Sequence, residues 1–242
     1  MATYYQIGCG GIGGWLSNLL VKTLTSRDKL ILVDGDVIEE KNLDRQLFDK
    51  GDLGLNKAEA THKKLASGAR CSVAVECEYL GANNDFQFQP DPDNWVIVGA
   101  DNHPARLLAL DMADSAGIKF LSAANGYEEA EAFFYTPSWE GSKLDPRVYY
   151  PEITTGKAGD PLSPPCTGEV LESAPQLAIA NMSAASYAMW LMWFWREKFP
   201  TLPHDDEDVM DTVPYHVLST AGRIRIRTLK DHKEVEDGNV SD

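Results

Sequence analysis

Short apolar runs that stop at glycine or aspartate punctuate the first half of the chain. Between them, apolar residues return every three or four positions. Residues 3–7 form such a run and end at a glycine, the pattern of a buried strand. Trp15, Leu16, Leu19, Leu20 and Leu24 then keep helical spacing, giving strand, glycine turn and helix in succession. Residues 29–36 read as a second strand closing on two acids, and residues 57–67 as a short polar helix. Residues 71–79 read as a third strand and 94–101 as a fourth, which again ends on an acid. A helix over 104–117, with proline in its first turn, leads to a fifth strand over 118–126. Strands alternating with helices predict an α/β, Rossmann-like fold: a mostly parallel sheet with helices on both faces.

The pattern changes after Gly126. Residues 130–136 read as a further strand, and 137–165 hold six prolines, too long a stretch for a simple connection. A crossover loop is therefore expected over about 137–174. From Ser173 to Trp195 run 23 residues without a charge, long enough to span a bilayer. Gln176, Asn181, Ser183 and Ser186 interrupt this run and no basic flank precedes it, so a buried or dimer-forming helix is expected instead. Beyond an acidic linker (204–211), residues 215–220 and 223–228 flank Ala221-Gly222 as a terminal hairpin. Its alternation sets Arg223, Arg225 and Arg227 on one face and Ile224 and Ile226 on the other. The expected organisation is one domain over 1–229: a nucleotide-binding core (about 1–126), the crossover loop, and a C-terminal antiparallel extension of helix and hairpin (175–229). An acidic tail (230–242) is expected to be disordered.

At 242 residues the chain can bury one large core, and its net charge of −15 argues against a nucleic-acid backbone as partner. Acidity overall still permits a local phosphate nest or a protein partner. The four cysteines, Cys9, Cys71, Cys77 and Cys166, include no C-x-x-C pair, so no zinc is expected. Cys9 is expected to pack in the glycine turn, and Cys71 and Cys77 along the third strand. Nothing at the start reads as a leader, and the expected setting is a reducing cytoplasm without membrane insertion.

Chemistry concentrates at the strand ends. Five of the seven residues from Gly8 to Gly14 are glycine, and Gly8-x-Gly10-x-x-Gly13, with Gly11 inside it, fits a phosphate-cradling turn before a helix. That fingerprint serves nicotinamide and ATP sites alike. Asp34, some 20 residues on, stands where an acid holds ribose hydroxyls. Gly8, Asp34 and Asp101 all fall at C-terminal strand ends and so point to one crevice. Asn42, Arg45 and Lys57 follow Asp34. Two cations beside a ribose carboxylate suit a triphosphate better than a nicotinamide dinucleotide.

"GCGGIGG", "LVDGDVIEEKNLDRQ", "GLNKAEA" and "GADNHPAR", in that order, resemble the ThiF/MoeB-like superfamily of ubiquitin-activating and sulfur-carrier-activating enzymes. The resemblance covers about residues 3–126. It implies that Gly13 and its neighbours take ATP phosphates, Asp34 the ribose, and Asn42, Arg45 and Lys57 the triphosphate. Asp101 would hold Mg2+, with Asn102 and Arg106 supporting that loop. It further implies adenylation of the C-terminal glycine of a small ubiquitin-like or sulfur-carrier protein. Cys166 would then take the acyl group as a thioester, or enter persulfide chemistry, activated by the helix that follows. A homodimer and a downstream conjugating enzyme or sulfurtransferase would be its partners.

Two departures stand out. Many bacterial members begin with a helix whose arginine reaches the partner subunit's ATP site; nothing here matches it, and Arg147 and Arg27 are the substitutes available. The family's paired zinc motifs are also absent. Asn125, Tyr127 and the crossover loop are expected contacts for the substrate tail. Trp190, Trp193 and Trp195 suit either a dimer face or the core. A nicotinamide-dependent oxidoreductase with His103 as proton relay would leave Arg45, Lys57 and Asp101 unexplained. A non-catalytic nucleotide-binding scaffold draws its support from the missing N-terminal arginine.

Overall fold

The computed structural model describes residues 1–81, 86–100, 103–155, 177–220 and 223–231. Five parallel strands come first: β1 (Thr3–Ile7), β2 (Lys29–Val33), β3 (Ser72–Glu76), β4 (Trp95–Val98) and β5 (Lys119–Asn125). Three antiparallel strands extend the sheet: β6 (Ala130–Tyr135), β7 (Pro214–Thr220) and β8 (Arg223–Thr228). The order is β3-β2-β1-β4-β5-β6-β7-β8. Chain direction across the sheet reverses at β1, which has β2 on one side and β4 on the other, so the ligand crevice of such a sheet opens beyond Ile7, Val33 and Val98.

Helices α1 (Gly11–Thr23) and α2 (Lys57–Leu65) follow β1 and β2, and α3 (His103–Ala116) follows β4. The short α4 (Pro146–Tyr149) and α5 (Pro151–Thr155) precede α6 (Ala178–Trp193) and α7 (Glu207–Asp211). Each face of the sheet carries its own apolar core. On one, Leu16 and Leu20 of α1 and Ala184 and Ala188 of α6 meet Leu30, Trp95 and Phe134 of the strands. On the other, Leu110 of α3 meets Tyr5, Val96, Phe120 and Phe133. The small residues of α6 let it lie close to α1 and the sheet.

Several expectations need correcting. Of the two readings open for the tryptophans, Trp195 is core, stacked on Phe134 at 4.1 Å and lying on the helical face of the buried Ala188, Leu191 and Met192, while Trp190 and Trp193 remain 39% exposed. Cys71 is buried, but Cys77 lies just beyond the edge strand β3 and is exposed. The acidic linker folds into α7, capped by Asp206, whose carboxylate accepts from the Val209 amide at 3.2 Å. The described part of the expected crossover loop, residues 137–155, holds a 3-10 turn (Pro137–Trp139), α4 and α5, and its remainder lies outside the described residues. On β8 both faces are open, with Ile224 64% and Ile226 48% exposed, while Arg227 lies over the Tyr149 ring at 4.8 Å. No helix among the described residues is long and apolar enough to cross a membrane.

Candidate functional site: the glycine turn and its acids

The turn after β1 is built by groups that only glycine allows. Gly8 has φ +90°, in the left-handed region, and a Cβ on Gly13 would collide with the Gly8 carbonyl. Beneath the turn lies Gln6, fully buried. Its Nε2 donates to the carbonyls of Gly8 and Gly13, both at 3.0 Å, and its Oε1 accepts from Ser17 Oγ at 3.0 Å. One strand residue thus ties the turn to α1. A polar residue at an inward position of an apolar strand was the signal for it.

Asp34 closes β2 beside this turn. Its Oδ2 accepts from the Cys9 amide at 2.7 Å and its Oδ1 from the Asp36 amide at 2.9 Å. Burial pushes its pKa up to about 6, against the opposing pull of Lys57 and these two amides. Lys57 Nζ sits 2.7 Å from Asp36 Oδ2, and the Tyr79 hydroxyl donates to Asp36 Oδ1 at 2.5 Å. Burial acts to raise the Asp36 carboxyl, but Lys57 and Tyr79 hold it below the usual carboxylate range. Asn56 positions Lys57. Its side chain donates to the Asp34 carbonyl at 2.7 Å and caps α2 by accepting from the Ala58 amide at 2.8 Å. Cys9 is fully buried, and burial together with Asp34 drives its thiol well above the ordinary range, so it serves as packing.

The segment between β2 and α2 folds back over the turn. Gln46 lies where a Cβ on Gly10 would be 3.6 Å from its Nε2, and Leu47 lies likewise against Gly14. Asn42 is buried, and its Oδ1 accepts from the Glu39 amide at 2.9 Å, which shapes the 3-10 turn over Glu40–Asn42. Arg45 is next to Gln46 and donates to the Lys41 carbonyl at 2.9 Å and to Asp44 Oδ1 at 3.1 Å. Asp36, Gln46 and Asn181 were not singled out from the sequence as site residues. Asp36 and Gln46 lie inside the segments that carry the family resemblance; Asn181 lies outside them and had no such signal.

Asp101, Asn102 and Cys166 lie outside the described residues. Next to the first two, Arg106 is buried: its Nε donates to Ser122 Oγ at 2.9 Å and a terminal nitrogen to the Ala100 carbonyl at 3.1 Å. His103 Nδ1 is 3.1 Å from Arg106 Nη1. Asn125 bonds the Gly126 carbonyl at 3.2 Å, and Tyr127 is half exposed, its carbonyl meeting the Leu177 amide at 3.4 Å.

Neither substitute arginine faces this turn within the chain. Arg147 is bound to Asp145, Asp111 and Asp114 and to the Tyr135 hydroxyl, a network that clamps α4 to α3 and the sheet. Arg27 precedes β2 and lines a cavity of about 680 Å³ at the opposite ends of the strands.

The residues present fit a nucleotide. The cradle admits no side chain at Gly13, and the Asp34 carboxylate and the Lys57 ammonium stand beside it. Two amides border the turn with buried atoms that have no partner among the described residues, Gln46 Oε1 and both Nδ2 and Oδ1 of Asn181. Among the described residues no cluster of three His, Cys, Asp or Glu could hold a metal ion.

Comparison with known proteins agrees with this geometry. Over 61 residues, 24% of the chain, it is 48% identical to the ATP-dependent ubiquitin transferase-like protein Cap2 of Pseudomonas aeruginosa. Over 107 residues, 43% of the chain, it is 31% identical to a probable molybdopterin-synthase adenylyltransferase of Porphyra purpurea. It is also 28% identical, over 60% of the chain, to the probable adenylyltransferase/sulfurtransferase MoeZ of Mycobacterium tuberculosis. The chain spans only 11%, 27% and 37% of these relatives. Among solved structures, E. coli MccB with AMPCPP and MccA superposes with a TM-score of 0.64 at 21% identity, over 94% of this chain and 63% of that one. PaaA gives 0.62 at 18%, over 94% and 64%. These structures share the fold. The ThiF family model matches residues 3–144, more than half the chain and all of the glycine turn, Asp34 and Lys57, and the chain belongs to the ThiF family.

Proposed function

We propose that this chain uses ATP and Mg2+ to adenylate the C-terminal glycine of a ubiquitin-like or sulfur-carrier protein. The observation that carries the reading is the joining of the glycine turn to the Asp34–Asp36–Lys57 group at the ends of β1 and β2. Names of relatives support it: MoeZ is called an adenylyltransferase/sulfurtransferase, and Cap2 a ubiquitin transferase-like protein.

The helix end at α1 would bind phosphate oxygens, and Asp34 the ribose hydroxyls. Lys57, already desolvated beside Asp36, would exchange part of that pairing for the triphosphate, with Arg45 and Asn42 reached by movement of their segment. Asp101 would hold Mg2+, supported by Asn102 and by Arg106 through its bond to the Ala100 carbonyl. The glycine carboxylate, ionised without a base, attacks the α-phosphorus. The phosphorus–oxygen bond to the leaving pyrophosphate breaks, and that group departs with the electron pair. Most of the rate would come from placement and charge neutralisation. The Cys166 thiolate would then attack the acyl carbon and release AMP. Asn125 and Tyr127 would guide the tail, and a homodimer would form through the exposed face of α6, with a conjugating enzyme or sulfurtransferase downstream.

The test is transfer of α-labelled AMP from ATP to a glycine-ended ubiquitin-fold protein. Asp101→Ala should abolish adenylate formation, while Cys166→Ser should keep it and lose only the thiol-linked product. Equal loss in both variants would contradict this division of roles. Adenylate transfer that needs no glycine tail would contradict the substrate class.

A further inference from the structure

At the crevice the N-termini of two long helices meet. α1 starts at Gly11, and Asn181 in the first turn of α6 lies directly against it. A Cβ on Gly11 would be 2.6 Å from Asn181 Nδ2 and 2.9 Å from its Oδ1. Asn181 is 1% exposed, yet neither atom of its amide has a hydrogen-bond partner among the described residues. Buried polar groups are nearly always paired, so an unpaired amide beside a turn that itself reads as an anion cradle points to a ligand.

The helix ends point the same way. Neither α1 nor α6 has a side-chain cap, since Gly10 and Leu177 supply none, and neither has an acid in its first turn. Two sets of uncapped N-terminal amides, each at the positive end of its helix, therefore face a region where no first-turn carboxylate balances them. An aliphatic side chain would fill the space at Gly11 without leaving an amide unpaired, so packing alone does not account for an asparagine there.

We infer that Asn181 is a nucleotide-binding residue: its Nδ2 donates to a phosphate oxygen of the bound nucleotide, so that α6 as well as α1 closes on the phosphate chain. This rests on the ATP-binding reading above and adds to it a contact from outside the nucleotide-binding core. The unpaired state of Asn181 is then that of a site shaped for a ligand. Gly11 is glycine because any side chain there would displace the amide.

The test is equilibrium binding of ATP, inorganic pyrophosphate and adenosine to the wild-type chain and to Asn181→Ala and Asn181→Leu, with the melting temperature of each ligand-free protein. Both variants should bind ATP and pyrophosphate about tenfold more weakly or worse, the loss expected for one hydrogen bond to a charged group. Adenosine affinity should be unchanged, and the ligand-free Asn181→Leu protein should melt no lower than wild type. Two results would overturn the inference: wild-type ATP affinity in both variants, or equal loss for adenosine and ATP. If the wild-type chain binds neither ATP nor pyrophosphate, the ATP-binding reading itself fails, and this inference with it.

Discussion

Lys57 Nζ stands 2.7 Å from Asp36 Oδ2, with the lysine side chain only 9% exposed. The same ammonium opposes the burial that raises Asp34. One cation therefore holds two carboxylates beside the glycine turn. Lys57→Ala should leave both uncompensated, lowering unfolding stability by about 3 kcal/mol, the cost of breaking a buried pair from one side. Chemical denaturation measures this. ATP affinity should fall with it, whereas Lys57→Arg should recover most of the stability.

If this chain binds ATP as proposed, Asp34 should make its affinity depend on pH. Its folded pKa of about 6 lies above the unfolded value of 3.8, so between these values the folded state binds the extra proton. Stability contributed by this group accordingly falls as pH rises from about 4 to about 6. Ribose recognition requires the carboxylate, so ATP affinity should rise through the same window. Asp34→Asn should flatten both profiles and weaken ATP binding; titrations of Kd and of denaturation midpoint against pH test both.

Gly13→Ala should be among the most damaging single changes. Its methyl group would meet the Gly8 carbonyl, and the turn cannot yield without breaking the Gln6 bonds that tie it to α1. A loss of about 3 kcal/mol or more is expected, at the upper end for overpacked positions. Gly51→Ala, where nothing lies within 4 Å, is the matched control. Thermal melts of the pair should differ by many degrees.

Within the chain Arg147 is held in an ion-pair network. Its guanidinium joins Asp145, Asp111 and Asp114. Arg147→Ala should cost about 2–4 kcal/mol of stability through the carboxylates left behind, with ATP affinity unchanged below the melting temperature. Loss of nucleotide affinity in a folded Arg147→Ala protein would return this residue to the phosphate site.

Much of this architecture was legible in the chain. The central strands β2 and β4 are nearly continuous apolar runs because both faces are covered, and glycine or an acid follows each one where the crevice begins. Asp34 and Lys57 were found because charges at strand ends and helix starts stand out against such runs. Long-range pairing stayed hidden. Nothing local says that Arg147 meets Asp111 and Asp114. Alternation alone placed Ile224 and Ile226 on one face, but whether anything covers that face depends on what packs against an end strand. Asn181 was read as a break in an apolar helix; its meaning depends on Gly11, 170 positions away in the chain.

The most direct measurement of the central claim is ATP–pyrophosphate exchange in the presence of ubiquitin-fold proteins with and without a free C-terminal glycine. Label should enter ATP only when the glycine-ended protein is present, and Lys57→Ala should abolish the signal. Tight binding of NADH with no exchange under any carrier would contradict the account.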